Sequence, residues 1–512
     1  MIIKETGGKT VAQPGKNMFL TRSNVAQTML DDDAPLVTVY VMGYNRLERT
    51  RTCVECVMKY TTGIDYELIL ADNGSTDNTV DFFESVPHAR KKVIRITKNI
   101  GAAYAADLAV TNARGKYVVG IANDVYVTTN WLSNMLMCAM SDDRIGMVSP
   151  LSSNVSNLQN AGITFDNFAE MQLKAAEHNV SDPRKWRERL RIVTLGTLYR
   201  RECLDMIGKP DYGFLHDFVD DDLTFRIRRA GYKAILCGDV FVHHDHDPIK
   251  DRDPGELRES LEEGKVNFRQ KYFGLDAWDD VNNYEPVMMS LVKPEEERGR
   301  TFPQILGIDV LCGTPILELK NKLRMADIFD SQLSAFTSEA KYYLDLQTIC
   351  DGRVYVDRPE YLTEHFKAAE FDYIVLGEPI NTYGQPYKLL GQILTLLKDD
   401  GQLLVKLRNT HDLQTFFKVM RHNIIGNGQI TSHISLEDLN VYLSQYGYRF
   451  KNVTAEFHVV DEDSKALLKK AIDKSGISKN ADDSFTRMMV RDYVVNIVSA
   501  NHLSTASRKN QH

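Results

Sequence analysis

Short apolar runs and amphipathic segments alternate along the first half of the chain. Apolar runs at 36–42, 67–71, 92–97, 117–121 and 234–242 predict buried strands. Residues 47–60 and an Ala-rich segment after Gly101 have helical spacing, and a further helix begins near Trp131. Strands that alternate with helices predict a parallel sheet of βαβ units, so we expect an α/β fold.

Polar residues follow the first four of these strands at the point where each strand ends. They are Tyr44-Asn45-Arg46, the run from Asp72 to Asp77, Asn99 with Gly101, and Asn123-Asp124. Ligands of open α/β sheets bind at the carboxyl edge of the strands, so we expect these groups to share one site. A bare carboxylate such as Asp124 after an apolar strand is costly without a cation or a ligand, although taken alone it fits a solvated turn.

The run from Asp72 to Asp77 has a physical logic of its own. Asp72 leaves the strand where its carboxylate can accept hydrogen bonds from a base or a ribose. Gly74 permits a tight turn, and Thr76 or Asp77 can cap the helix that follows.

Two further clusters lie downstream. Asp220, Asp221 and Asp222 are adjacent, so they raise one another's pKa unless cations such as the three arginines at 226, 228 and 229 compensate. An acidic helix N-terminus stabilised by the helix dipole is the alternative. The run from His243 to Asp247 follows a strand and suits a divalent cation, with a solvated loop as the alternative.

Residues 35–272 resemble the inverting family 2 glycosyltransferases of the GT-A fold. The resemblance is carried by VTVYVMGYNR, ELILADNGSTDNT, KNIGAAYAADLAVTNARGKYVVGIANDVYVTTNWL, LGTLYRREC, FVDDDLTFRIRRAGY and VFVHH, in that order. It implies an enzyme that moves a sugar from a nucleotide-diphosphate donor, with a UDP-sugar favoured, to a hydroxyl of a glycan, lipid-linked or protein acceptor.

The roles of individual residues follow from this resemblance. Nucleotide-sugar binding falls to Tyr44, Arg46, Asp72, Asn99, Gly101, Asn123 and Asp124, with the base, most often uracil, at Asp72. Asp124 stands at the last position of the DxD motif and would bind Mn²⁺ or Mg²⁺, with His243 completing the shell and His244 or His246 as substitutes. Asp220 falls at the catalytic base, and Asp221 is the runner-up because the register of adjacent acids is ambiguous.

The sequence departs from the family pattern at two positions. Ala122 replaces the first acid of the DxD motif, which removes one protein ligand, but Mg²⁺ typically keeps several waters and relies on substrate phosphates. Val219 replaces the acid that normally precedes the catalytic base.

The second half repeats the βαβ rhythm. Strands are predicted at 304–310, 324–329, 371–376 and 402–407, with a helix at 387–397. This half resembles a class I SAM-dependent methyltransferase on FDYIVLGEPINTYGQPYKLLGQILTLLKDDGQLLVKLRN and HISLEDLNVYLSQYGYRFKNV. Asp309, Gly313 and the ribose-binding candidate Asp330 are the remnant of a SAM site, while Leu311 and Pro315 occupy glycine positions of its first loop.

Composition narrows the class of protein. The 512 residues carry a net charge of −8, which argues against nucleic-acid partners, and their seven scattered cysteines suit a reducing compartment. Cys53 and Cys56 form one CxxC, which we interpret as two buried thiols. No apolar run approaches the ~18 residues of a membrane span, so a cytoplasmic protein without an integral membrane segment is expected.

We therefore predict a GT-A glycosyltransferase domain followed by a Rossmann-like methyltransferase-type domain. The predicted boundaries are a flexible arm at 1–33, the first domain at 34–275, a linker at 276–300, the second domain at 301–500 and a tail at 501–512. The second domain would bind SAM, hold the acceptor or support a homo-oligomer. A bifunctional glycosyltransferase and methyltransferase, or a non-catalytic binding partner, are the alternative functions.

Overall fold

The computed structural model describes residues 34–211, 213–214, 217–245, 254–413, 432–475 and 481–501. The predicted arm at 1–33, His246 and nearly all of the predicted tail lie outside these residues. The chain divides into two compact units, one reaching to Asn283 and including Leu344–Gly352, the other made of Tyr284–Tyr343 and the chain from Arg353 onward. The predicted linker is therefore folded chain, since Met288 and Met289 are buried in a short helix within it.

The first unit is built on strands β1 to β9. Their bounds are Val37–Gly43, Tyr66–Asp72, Lys91–Arg95, Tyr117–Ala122, Val125–Tyr126, Ile145–Ser152, Trp186–Glu188, Thr197–Arg200 and Lys233–His244. Among the described residues they form one sheet in the order β3-β2-β1-β4-β8-β6-β9-β5, with β7 paired to β9. The first four strands of this order are parallel, whereas β8 runs antiparallel to β4 and β6.

Helices α1 to α8 of this unit connect the strands. Their bounds are Leu47–Tyr60, Thr79–Ser85, Ala102–Asn112, Trp131–Met140, Phe168–His178, Arg201–Ile207, Val219–Arg229 and Pro254–Lys271. Helix α1 buries Thr50, Cys53, Val54 and Val57, which recur at helical spacing against the Val-rich strand β1. The thiols of Cys53 and Cys56 are free and buried, as predicted.

The register of the parallel strands aligns their carboxyl ends. Gly43 pairs with Asp72, Asp72 pairs with Arg95, and Met42 pairs with Ala122. The loops that follow these strands therefore leave the sheet at one level, which is the edge where the sequence predicts the site.

The second unit is built on strands β10 to β16. Their bounds are Gln304–Ile308, Gln332–Thr337, Val354–Val356, Phe371–Leu376, Leu397–Arg408, Tyr448–Phe457 and Val490–Ser499. Among the described residues their order is β12-β11-β10-β13-β14-β16-β15, in which β16 alone runs antiparallel to its neighbours. The strand order reverses between β10 and β13, which is the topological switch of a Rossmann-like sheet. The predicted methyltransferase-type fold is confirmed.

Helices α9 to α16 complete the chain. Their bounds are Pro286–Ser290, Thr314–Arg324, Tyr343–Cys350, Leu362–His365, Pro386–Leu396, Leu436–Gln445, Glu462–Ser475 and Ala481–Met489. Within the described residues, none of the helices is both long and apolar enough to cross a bilayer.

The strand predicted at 324–329 is wrong. Helix α10 extends through Arg324, because Leu319 and Leu323 are spaced four apart and bury one face, and β11 begins only at Gln332. Asp330 therefore precedes β11 at the amino edge of the sheet, whereas the Asp309 loop follows β10 at the carboxyl edge.

Candidate active site

The loops after β1, β2 and β4 are tied together by side-chain amides and hydroxyls. Asn45 Oδ1 accepts a hydrogen bond from the Thr76 backbone N–H at 2.8 Å, and the Asn45 backbone N–H donates to Ser75 Oγ at 2.8 Å. From β4, Asn123 Nδ2 donates to the Asn45 backbone carbonyl at 3.2 Å and to Thr50 Oγ1 at 2.9 Å. Asn45 adopts a left-handed backbone with φ of 53°, which asparagine tolerates well. The first and fourth strand ends are thus fixed to the second.

The loop after β3 joins the same network. Asn73 Nδ2 donates to Asn99 Oδ1 at 3.0 Å, and the Ile100 N–H donates back to Asn73 Oδ1 at 3.1 Å. Asn99 Oδ1 also accepts from the Gly101 N–H at 2.9 Å. The structure therefore brings the predicted nucleotide-binding positions of all four loops to one edge.

Asp72 is almost fully buried, with 1% of its surface exposed. Its carboxylate accepts the backbone N–H groups of Gly74 at 3.2 Å and of Ser75 at 3.1 Å, so it also shapes its own turn. A carboxylate offers about four lone-pair positions, so these bonds leave capacity for a donor on a ligand. Tyr44 directly follows Gly43, the β1 residue paired with Asp72, and is 44% exposed, and Arg46 follows in a left-handed conformation with φ of 58°.

Asp124 lies opposite the carboxyl end of β9. The short strand β5 pairs antiparallel with β9, Val125 opposite His244, and the Asp245 N–H donates to the Asp124 carbonyl at 2.8 Å. This pairing places His244 Nε2 3.7 Å from Asp124 Oδ2. His244, which we predicted as a substitute ligand, is thus the histidine beside the DxD carboxylate.

His243 points to a different set of groups. Its Nδ1 lies 2.6 Å from Ser153 Oγ, and its ring packs edge-on against Phe165 and tilted against Tyr126. Burial lowers the pKa of His243, so the neutral imidazole prevails at neutral pH. Its assignment as metal ligand stays a prediction.

The donor set around Asp124 fits one divalent cation. Oxygen and nitrogen ligands lie about 2.1 Å from Mg²⁺-like ions, so two ligands of one ion are about 3–4 Å apart, which matches the Asp124–His244 separation of 3.7 Å. His244 Nδ1 lies 3.3 Å from the Asn154 carbonyl, and a proton donated there leaves the Nε2 lone pair for the metal. In the described part of the chain no three acidic, His or Cys side chains converge as a cage, so substrate and water must supply the remaining ligands.

The three adjacent acids occupy the first turn of α7 and have different partners. Asp222 is buried and accepts from Tyr272 Oη at 2.7 Å, Arg226 Nε at 2.8 Å and Lys271 Nζ at 2.6 Å. Asp221 is buried against the Arg191 guanidinium, whose Nε donates to it. These two carboxylates are neutralised by cations and hold the helix in place.

Asp220, the predicted base, has different surroundings. It is half-buried and accepts a hydrogen bond from Thr194 Oγ1. Burial, with a smaller contribution from the neighbouring Asp221 charge, raises the pKa of Asp220 to about 6. A carboxylate with this pKa is ionised at neutral pH and is more basic than an ordinary aspartate.

Thr194 connects Asp220 to the edge of the sheet that holds Asp124. Gly120 of β4 pairs with Thr197 of β8 in antiparallel register, so the residues before Thr197 run beside those after Gly120. Gly196 confirms this placement, because a side chain there would lie 3.8 Å from Val125 Cγ1. The predicted base Asp220 and the predicted metal ligand Asp124 therefore belong to the same edge.

The sequence did not identify several residues that build this site. Thr194, Arg191 and Ser153 lie in loops without a strand-end signature, and only the fold brings them to Asp220, Asp221 and His243. Asp245 was visible within the His/Asp run, yet its carboxylate accepts from Tyr126 Oη at 2.9 Å and pairs with Arg49.

The first loop of the second unit does not fit SAM. Asp309 is oriented by the protein itself, since it accepts from the Ser338 N–H at 2.7 Å and from Tyr383 Oη at 2.9 Å. Leu311 takes the left-handed conformation that glycine favours, with φ of 52°, and Pro315 near the start of α10 contributes no N–H. With Asp330 at the opposite edge, the residues of the predicted SAM remnant are not brought together.

The model of the family described as "Glycosyl transferase family 2" matches residues 38–184. These residues hold the four interlocked loops, Asp124 and Ser153. This part of the chain is therefore similar to family 2 glycosyltransferases.

The curated relatives include a chondroitin synthase of Pasteurella multocida. It is 23% identical over 304 residues, which cover 58% of this chain and 29% of that protein, so the chain spans less than a third of its length. Solved structures with some likeness include a mannosyltransferase from Pyrobaculum calidifontis, in complex with GDP-Man and Mn²⁺, at 19% identity, a TM-score of 0.35 and coverage of 50% of this chain and 72% of that one. A SAM-dependent methyltransferase from Archaeoglobus fulgidus has 13% identity, a TM-score of 0.29 and coverage of 45% and 98%.

Substituting Gly74→Ala should destabilise the first unit. Gly74 has φ of 85°, and an added Cβ would lie 2.5 Å from the Lys98 carbonyl carbon and 2.6 Å from the Asn99 nitrogen, both backbone atoms. We expect a loss of about 2–4 kcal/mol in the free energy of unfolding, measured in urea. The matched control is Gly63→Ala, where φ is 73° but the space is open, and its loss should stay near about 1 kcal/mol. Equal losses at both glycines would contradict the close packing of the two loops.

Substituting Asp220→Asn should stabilise the first unit at neutral pH. The folded-state pKa of about 6 lies above the unfolded value, so ionisation of Asp220 opposes folding as the pH rises from about 4 to 6, and this cost persists above pH 6. We expect the variant to raise the Tm by roughly 2–6 °C at pH 7.5, with the difference vanishing near pH 4. Asp222→Asn is the contrast, because it deprives Arg226 and Lys271 of a partner and should lower the Tm. A lower Tm for Asp220→Asn at pH 7.5 would contradict the burial argument.

Proposed function

We propose that this chain is an inverting glycosyltransferase that moves a sugar from a nucleoside-diphosphate donor, with a UDP-sugar favoured, to a hydroxyl of a glycan acceptor. The observation that carries the proposal is the contrast within the acidic turn of α7. Burial raises the pKa of both Asp220 and Asp221, but Asp221 and Asp222 are paired with cations, whereas Asp220, with a pKa of about 6, lies at the edge that holds Asp124 and accepts from a threonine. The family match supports the reaction class.

The interlocked loops would bind the donor. Asp72 retains lone pairs for the base, while Asn99 and Gly101 stand where the chain passes close to the nucleotide. Asp124 and His244 would hold Mn²⁺ or Mg²⁺. A divalent ion in this position supplies positive charge to the departing diphosphate.

Asp220 would act as the general base. Its carboxylate takes the proton of the acceptor hydroxyl while the hydroxyl oxygen forms a bond to the anomeric carbon of the donor sugar. The bond from that carbon to the diphosphate oxygen breaks, its electron pair leaves with the nucleoside diphosphate, and the anomeric configuration inverts. Thr194 fixes the orientation of the carboxylate, and its hydrogen bond to the charged form keeps the pKa of Asp220 from rising further.

Replacing the proposed base should remove turnover and leave donor binding intact. Asp220→Asn is expected to lower kcat by about 10²–10⁴-fold, because a positioned base contributes that much, while UDP affinity changes little. The measurement is nucleoside-diphosphate release from a panel of nucleotide sugars, with calorimetry for UDP binding. In the unaltered protein kcat should fall as the pH drops below about 6, where Asp220 becomes protonated.

Asp221→Asn separates the two candidate bases. Asp221 is held by Arg191, so its loss should affect stability more than it affects the chemical step of the protein that remains folded. A folded Asp221→Asn variant that is inactive, beside an active Asp220→Asn, would reassign the base to Asp221. Activity in both variants would argue against base catalysis from this turn.

The metal ligands can be tested separately from turnover. His244→Ala should raise the Mn²⁺ concentration required for tight UDP binding by about 10–100-fold, because one of two protein ligands is lost. His243→Gln keeps a partner for Ser153 and should change this concentration by less than about threefold. Titration calorimetry with UDP at increasing Mn²⁺ measures both. A larger effect at His243 than at His244 would restore His243 as the ligand.

A further inference from the structure

The C-terminal end of helix α7 binds a short segment that lies much later in the sequence. Leu344–Gly352 follows β11 and precedes β12, yet it belongs to the first compact unit. Asp345 within it is fully buried. Its Oδ1 accepts from Arg228 Nη2 at 3.0 Å and its Oδ2 accepts from Arg229 Nη2 at 2.7 Å.

Both arginines stand in the last turn of α7. Arg228 is also buried, and its Nη1 donates to Thr348 Oγ1 at 3.0 Å, so this guanidinium is bound to two side chains of the same segment. Ion pairs between a buried carboxylate and two buried or half-buried guanidinium groups are costly to break, because removing either charge leaves the other desolvated and unpaired. The last turn of α7 is therefore fixed in position relative to Asp345.

A continuous set of contacts joins this end of α7 to its first turn. The Arg229 guanidinium lies 4.9 Å from the centroid of the Tyr272 ring, and the Tyr272 hydroxyl donates to Asp222 at 2.7 Å. Asp222 is two residues from Asp220 in the same turn. Helix α7 has 11 residues and is about 15 Å long, so it is short enough to move as one rigid body.

We infer that Asp345 is a positioning residue for the transfer reaction, which acts through Arg228 and Arg229 to set the placement of the helix that presents Asp220. The inference rests on the proposed function, since it takes Asp220 as the base. A misplacement of a catalytic group by about 1 Å costs on the order of 10²-fold in rate. The turnover of the first domain thus depends on a segment encoded some 60 residues beyond that domain's own continuous stretch, which ends at Asn283.

The test compares substitutions in this segment of the full-length chain. Asp345→Asn is expected to lower kcat by about 10–100-fold with the KM for the donor within about twofold, and to move the acid limb of the pH–kcat profile. Asp351→Asn is the matched control from the same segment. Asp351 is half exposed and pairs with Arg144, which bonds the Gly231 carbonyl beyond the end of α7 and none of the arginines of that helix, so this variant should keep kcat within about twofold.

A milder variant decides the question if Asp345→Asn does not fold. Arg229 is 21% exposed and shares Asp345 with Arg228. Arg229→Gln therefore removes one of the two charges that bind Asp345 and keeps the other, and it should lower kcat by about threefold or more. Both folded variants matching Asp351→Asn in kcat and in pH profile would overturn the inference.

Failure of this inference and failure of the proposed function give different results. If Asp220→Asn is inactive and the Asp345 and Arg229 variants behave like the control, the base assignment stands and the positioning role falls. If Asp220→Asn retains activity, the proposed base is wrong and the positioning role falls with it. A loss of Tm alone, without a change in kcat or in the acid limb, assigns Asp345 a purely structural role.

Discussion

Three carboxylates in one helical turn cannot all be ionised at low cost, and this constraint organises the catalytic half of the molecule. Asp222 draws Arg226, Lys271 and Tyr272 around it, and Asp221 draws Arg191. These contacts tie α7 to α8 and to the loop before β8. Because the second and third acids are paired with cations, the turn can bury the first acid as well, and burial is the main cause of its raised pKa. The packing that holds the turn in place therefore also makes Asp220 more basic.

The sheet supplies the second requirement, which is convergence. Parallel register brings the ends of β1, β2, β3 and β4 to one level, and short amide and hydroxyl contacts then fix their loops to one another. Gly74 is the point of closest approach, where backbone lies against backbone. Such an edge is preorganised, because its polar groups are already oriented by one another before any ligand arrives.

Much of this arrangement could be predicted from local sequence. Helix α1 has the predicted bounds, and the five strands predicted in the first unit lie within one or two residues of theirs, because Val-rich runs bounded by polar loops have few other structures open to them. Strands β5 to β8 of the same sheet were not predicted. The ribose-binding candidate Asp330 rested on the strand predicted at 324–329, which is wrong. Residues 324–329 end in apolar side chains and contain no clear helix stop, so the sequence there was mistaken for a strand. The partners of the acids could not be predicted, because Thr194, Arg191 and Asp345 are distant in sequence and only tertiary packing brings them in.

Ala122 replaces the first acid of the DxD motif, so the sequence predicts one protein ligand fewer for a metal. The pairing of β5 with β9 supports the proposed metal site all the same, because it sets an imidazole nitrogen 3.7 Å from the remaining carboxylate. Neighbouring residues of a strand point to opposite faces of the sheet, so His244 lies toward Asp124 and His243 lies toward Ser153. A shift of one residue in the register of β9 would exchange the two rings. Strand register therefore determines which histidine is placed to bind a metal, and the spacing of residues in the sequence does not reveal it.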